Sequence, residues 1–132
     1  KEPFQERVKQ ITKGKGVPVV YDGVGKDTFM GSLDCLAPLG LMVSFGNASG
    51  AVPPFNIGML SQKGSLFLTR PTLVHYTGSR EDLNRAAREL FAVVKKGVVK
   101  IAINQTYPLR EAAQAHRDLE ARKTTGSTVL LP

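Results

Sequence analysis

The chain has 132 residues, enough for one domain with a modest core. Its hydrophobic share of 42% and charged share of 22% are ordinary for a globular fold, and they exclude a disordered or collagen-like chain. No apolar run approaches the length that crosses a bilayer, so no membrane partner is expected. The formal charge of +7, with a pI near 9.8, favours anionic partners such as phosphates, nucleic acid or an acidic surface without choosing among them. The opening Lys1-Glu2-Pro3 has neither an initiator methionine nor a signal peptide, which points to a fragment whose true start lies upstream.

In chain order, residues 3–13 read as an amphipathic helix, with Pro3 in the first turn and Phe4, Val8 and Ile11 on one face. Gly14 and Gly16 stop it. The run Val17 to Asp22 reads as a buried strand, because a parallel strand covered on both faces is continuously apolar. Residues 27–36 predict a short helix with Phe29, Leu33 and Leu36 inward, ended by Pro38, and residues 41–45 predict the next strand. Helix, strand, helix, strand with short connections is the α/β pattern, and its strands are expected to run parallel.

Residues 46–54 form a Gly/Ala/Ser/Pro loop, residues 56–62 one or two helical turns, and Leu66 to Thr69 a short strand. A long loop follows to Gly78. Ser79 then caps a helix, with Asp82 as the partner three residues on, the stripe Leu83, Ala87, Leu90, Phe91 and Val94, and Gly97 as its stop. Val98 to Tyr107 reads as an extended, less buried strand. Leu109 to Arg122 reads as a helix entered through Pro108, and Ser127 to Leu131 as a terminal strand.

Two strand ends run straight into glycine-rich turns. Open α/β sheets bind ligands there. The first turn, Gly23-Val24-Gly25-Lys26-Asp27-Thr28, approaches the dinucleotide pattern G-x-G-x-x-G, but Thr28 stands where the third glycine belongs. It is either a tight strand-to-helix turn or a loop that touches a cofactor by backbone proximity. In the second, Gly46 permits close approach of a ligand to the backbone, while Asn47 and Ser49 offer hydrogen bonds to an amide or ribose. Arg70, between a strand and Pro71, meets a phosphate or carboxylate, or forms a surface salt bridge.

Cys35, the single cysteine, has no partner for an internal disulfide and suits a reducing, cytoplasmic setting as a small core residue. His75 and His116 have no metal-ligand spacing with it or with each other, so no metal is expected, and His116 reads as a packing residue. No Ser/His/Asp set or P-loop is present, and no residue is assigned a catalytic role.

The run Val19-Val20-Tyr21-Asp22-Gly23-Val24-Gly25-Lys26-Asp27-Thr28 resembles the middle of NADPH:quinone oxidoreductases, as do Ser32 to Leu36 and Gly40 to Val52. The likeness continues through Gln62 to Leu66, Thr69-Arg70-Pro71, Tyr107-Pro108-Leu109, Ala115-His116, Leu119-Glu120 and the tail from Gly126 to Pro132. It covers essentially the whole chain. It is to the zinc-free, zeta-crystallin-like branch of the medium-chain dehydrogenase/reductase superfamily, whose members join a GroES-like catalytic domain to a Rossmann domain.

The resemblance implies that residues 1–97 are the carboxyl-terminal half of the Rossmann cofactor-binding domain, and that residues 98–132 are a strand-helix-strand tail that belongs to or borders the catalytic domain. It implies NADPH as cofactor, a quinone or enone as substrate, and direct hydride transfer. Val24 would line the cofactor groove. Phe45, Gly46, Asn47, Ala48 and Ser49, with Arg70, Pro71, Thr72 and Leu73, would lie against the nicotinamide and its ribose, and Arg122 matches a family arginine near the cofactor. Homodimers would pair through Leu66 to Thr69. Without the upstream pyrophosphate turn the isolated chain is expected to bind cofactor weakly and to be inactive. The alternatives are a nucleic-acid-binding module of zeta-crystallin type, motivated by the +7 charge, and an enoyl thioester reductase of the same superfamily.

Overall fold

The computed structural model describes residues 3–132; Lys1 and Glu2, the charged opening of the chain, lie outside the described residues. The chain forms two compact units, Lys1–Tyr76 and Thr77–Pro132.

In the first unit, helix α1 (Phe4–Ile11) starts from Pro3 in extended backbone and ends as Lys13, Gly14 and Gly16 enter the left-handed region. Strands β1 (Val17–Asp22), β2 (Leu36–Ser44) and β3 (Phe67–Thr69) form one sheet in that order, parallel throughout as expected. Helix α2 (Phe29–Asp34) joins β1 to β2, and the short α3 (Gly58–Gln62) precedes β3. The core is Phe29 and Leu33 of α2, Leu36 and Met42 of β2, and Leu66, flanked by Val17, Val20, Val52, Phe55 and Leu60. Leu33 is 1% and Met42 0% exposed. Complete burial of such a side chain contributes roughly 2–3 kcal/mol. The Phe29 and Phe55 rings meet at 5.0 Å and 58°, a tilted aromatic contact.

Three expectations are corrected in this unit. Pro38 does not terminate a helix. Helix α2 already ends at Asp34, and Pro38 lies inside β2, which starts five residues before the expected Leu41. The register jumps from Val17 opposite Leu36 to Val19 opposite Leu41, so Ala37 to Gly40 bulge out of the ladder. Proline, which has no N–H to donate, is tolerated at such a bulge. Leu39 takes a positive φ there, and its N–H donates to the Gly64 carbonyl at 2.8 Å. Nor is β1 buried along its length. Among the described residues it is the outer strand of the three-stranded sheet, its side chains are only partly covered, and Tyr21 is 73% exposed. Finally, the loop after β3 contains a helical turn, α4 (Leu73–Tyr76).

The second unit begins with α5 (Arg80–Lys95). Its cap is as expected: the Ser79 hydroxyl oxygen accepts from the Asp82 N–H at 3.0 Å. None of its residues is buried, so its apolar stripe remains open, and α5, expected with the sheet domain, clusters with the tail. Strand β4 (Ile103–Pro108) is shorter than the expected 98–107 and pairs parallel with β5 (Ser127–Leu131). A 3-10 turn at Leu109–Glu111 leads into α6 (Ala112–Glu120), so the expected single helix is two pieces.

Asp118 locks α6 to β4. It accepts hydrogen bonds from the Tyr107 hydroxyl and from Gln114 Nε2, both at 3.0 Å, with Lys123 Nζ at 3.5 Å. Those bonds hold its carboxyl below the usual range, and the same bond to Asp118 raises the Tyr107 phenol. His116 is exposed rather than packed; Ala115 beside it is the buried residue of α6.

Leu33→Ala removes a fully enclosed side chain whose neighbours are fixed to sheet and helix. It is expected to cost about 3 kcal/mol of unfolding free energy, read from the shift in urea midpoint at unchanged slope.

Candidate functional site at the strand ends

The site begins with how β1 ends. Asp22 is 4% exposed, and its carboxylate accepts from the Val24 N–H at 2.8 Å, the Gly25 N–H at 3.0 Å, the Thr28 hydroxyl at 2.8 and 3.0 Å, and the Ser32 hydroxyl at 2.8 Å. Burial pushes this carboxyl up, but the bonds from Gly25, Ser32, Thr28 and Val24 outweigh it and hold it below the usual carboxylate range. The two N–H groups that a dinucleotide turn would aim at a phosphate thus point inward at an anion the chain supplies itself. Thr28, in place of the third glycine, is part of that arrangement. The segment forms a tight strand-to-helix turn whose Val24 and Gly25 N–H groups are taken by Asp22. Sequence reasoning missed Asp22, Thr28 and Ser32; the available signal was an aspartate closing a strand just before Gly-x-Gly, with hydroxyl residues six and ten positions on.

The second turn is sewn to the first. Phe45 and Gly46 N–H groups donate to the Asp22 carbonyl at 2.9 and 3.4 Å, Ala48 N–H to the Gly23 carbonyl at 3.2 Å, and Ser49 N–H to the Val24 carbonyl at 2.8 Å. The Ser49 hydroxyl donates to the Val24 carbonyl at 2.8 Å and accepts from the Asp27 N–H at 3.0 Å. A hydroxyl has one proton, so Ser49 has no donor left for a ligand. Gly46 is required here for a reason the sequence did not disclose: a Cβ would stand 2.3 Å from the Gly23 carbonyl oxygen and 2.7 Å from its Cα. Gly25, at φ +89°, would likewise drive a Cβ to 2.6 Å from the Gly50 oxygen. The glycines let two loops touch each other.

Arg70 binds the third strand end to the second. Its Nη1 donates to the Ser44 carbonyl at 2.8 Å and the Gly46 carbonyl at 3.2 Å. It forms no ion pair among the described residues, so the surface-salt-bridge reading is not met. The far side of its fork still carries N–H donors for an acceptor-rich ligand.

Two hollows open at the ends of β2 and β3, one lined by Ser44, Asn47, Ala51, Val52 and Arg70, the other by Phe45, Pro71, Leu73 and Tyr76. The first joins an amide and a guanidinium to small apolar walls; the second is largely apolar and includes two aromatic residues, Phe45 and Tyr76. A third, along β1 to its end, is lined by Phe4, Val8, Val20, Asp22, Val24 and Thr28 among others. The structure therefore brings Phe45, Gly46, Asn47, Ala48, Ser49, Arg70, Pro71 and Leu73 to one end of the sheet, with Thr72 between the last two, and Val24 beside them on the first turn. Val24, Asn47, Ala48, Thr72 and Leu73 are exposed. Arg122 lies in the second unit, at a positive φ and exposed.

A family model described as zinc-binding dehydrogenase matches residues 1–130. The chain belongs to that family. It is 59% identical over 131 residues to a quinone oxidoreductase of Pseudomonas aeruginosa, covering 99% of this chain and 40% of that protein. It is 48% identical to a 2-haloacrylate reductase of a Burkholderia species, covering 99% of this chain and 40% of that protein. The crystal structure of Escherichia coli quinone oxidoreductase complexed with NADPH matches with a TM-score of 0.90 at 54% identity, over 100% of this chain and 41% of that one.

The chain thus spans about two fifths of the length of the relatives it matches. The α/β fold with parallel strands and flanking helices is the one expected. The metal in the family's description finds no fit in this chain: among the described residues no three His, Cys, Asp or Glu side chains gather to hold an ion. Cys35 is buried, and that burial raises its thiol further from the thiolate that would bind a metal.

Gly46→Ala is expected to destabilise the protein by about 2 kcal/mol or more, since the atom in its way is backbone, and to lower the melting temperature accordingly. Stability should also fall in acid. Because the folded Asp22 carboxyl lies below its unfolded value, its contribution is complete above about pH 4 and is lost as pH falls through the folded value. A pH series of urea midpoints should show that loss in the wild type and a shallower one in Asp22→Asn.

Proposed function

We propose that this chain is the nicotinamide side of the cofactor site in an NADPH-dependent reductase of quinones and related enones. The observation that carries the reading is a fold and sequence match, over the full chain, to an oxidoreductase solved with NADPH, together with the polar and apolar hollows set side by side at the carboxyl ends of β2 and β3. Residues 1–97 carry the cofactor share and residues 98–132 the tail toward the catalytic domain.

In this reading Asn47 and the open side of Arg70 offer hydrogen bonds to the carboxamide and ribose. Phe45, Pro71 and Leu73 form a dry wall against the ring, and Val24 lines the groove. Bound NADPH supplies the hydride. The acceptor then takes a proton from water, and no side chain of this chain is assigned as general acid. Enones join quinones as candidate acceptors because a 2-haloacrylate, the compound named for one relative, also carries an activated carbon–carbon double bond. A nucleic-acid-binding role is not adopted, since the matched relatives are named as oxidoreductases and reductases. By itself the chain holds cofactor weakly, because Asp22 already uses the N–H donors of its first turn.

The partner chemistry follows from β3. Among the described residues it is the outer strand of its sheet, with Phe67 60% exposed, and an open edge pairs readily with another chain, so a homodimer through Leu66 to Thr69 belongs to the proposal. Among the described residues no helix is long and apolar enough to cross a membrane. The buried, unpaired Cys35 suits a reducing cytoplasm, and the zinc-free branch is the one assigned.

Assay of the full-length protein with NADPH and simple quinones should give quinone-dependent oxidation at 340 nm. Absence of oxidation above background would refute the assignment.

A further inference from the structure

We propose that Asp22 is a positioning residue for hydride transfer: it folds the first turn around its carboxylate and so fixes where Gly46 and Asn47 stand against the nicotinamide. This rests on the cofactor reading above and adds a residue that lines neither hollow at the ends of β2 and β3, although it borders the one along β1.

The path is short and unbroken. The carboxylate gathers two backbone N–H groups and two hydroxyls, which sets the direction of the Gly23 and Val24 carbonyls. Those carbonyls accept the Ala48 and Ser49 N–H groups, while the main-chain carbonyl of Asp22 accepts Phe45 and Gly46. The second turn is therefore held from both sides through atoms of one residue. There is no slack in the seam, because Gly46 and Gly23 already touch through backbone. A shift of the first turn passes directly into Gly46, whose carbonyl is also held by Arg70. Reactions between two bound partners lose rate steeply with misplacement of a fraction of an ångström to an ångström. In the cofactor reading Asn47 and Gly46 meet only the nicotinamide side of the cofactor, so the loss falls on the reaction step more than on binding.

The arrangement also explains why the acceptor is a carboxylate. Four donors converge on two oxygens, more than one amide oxygen can accept. Asparagine at this position keeps Oδ1 for the Val24 and Gly25 N–H groups and turns its amide toward the two hydroxyls, whose protons must then rotate away. That variant retains the volume and the turn and loosens the grip. Thr28→Val removes a single hydroxyl at constant shape, and Thr28→Ser retains it.

The test uses the full-length protein with NADPH and a simple quinone. Asp22→Asn is expected to lower kcat about tenfold and Thr28→Val a few-fold, with KM for NADPH held within about threefold and Thr28→Ser near wild type. The primary isotope effect with NADPH deuterated at the transferred position should rise in Asp22→Asn as the hydride step becomes limiting. Lower melting temperatures with kcat and isotope effect unchanged would overturn the proposal, as would a rise in KM alone. If Asp22→Asn fails to fold, the Thr28→Val and Thr28→Ser pair decides by the same readouts. An inactive wild type would instead overturn the cofactor reading, so the two failures are distinct.

Discussion

A buried carboxylate at the end of β1 governs the shape of everything at that end of the sheet. Asp22 brings the Val24 and Gly25 N–H groups, Thr28 and Ser32 onto itself, and four donors replace the hydration that its ionised carboxylate loses on burial. The turn that results exposes its carbonyls to the neighbouring loop and hides its N–H groups. That orientation fixes two things at once: the first turn cannot serve as a phosphate cradle, and the second turn is tied down by its own N–H donors. Arg70 completes the arrangement by tying the third strand end to the second.

Glycine takes its meaning from this seam. Gly46 and Gly25 lack side chains because another backbone already occupies the space, at distances no Cβ could tolerate. A ligand that later approaches the outside of the seam meets a surface already set before it arrives. A preformed polar hollow beside an apolar one is what a cofactor with a flat ring and a polar amide requires. The core under the site is small, with Leu33 and Met42 at its centre, and many large apolar side chains of both units are exposed.

The periodic elements were legible. The spacing of Phe4, Val8 and Ile11, the Ser79 cap with Asp82, and the parallel order of the three short strands all follow from local rules of pattern and capping. Pro38 misled because proline is compatible with two roles, helix stop and bulge, and only the pairing partner of β2 distinguishes them. Tyr21 and its neighbours misled because an apolar run does not disclose whether its strand is central or at an edge. Ser49 looked available to a ligand, and its single proton is spent on Val24, a residue 25 positions away.

The sequence by itself determined the α/β pattern, the absence of a metal-ligand spacing, the two strand-end turns and the likeness that covers the whole chain, because each depends on residues close in sequence or on the run as a whole. Only the tertiary structure decided what those turns do. Whether an N–H faces a phosphate or a carboxylate, and whether a glycine admits a ligand or another loop, depends on which groups meet across long sequence separations. For Asp22 and Gly46 that meeting made two glycine-rich turns into one fixed wall with the open hollows beside it.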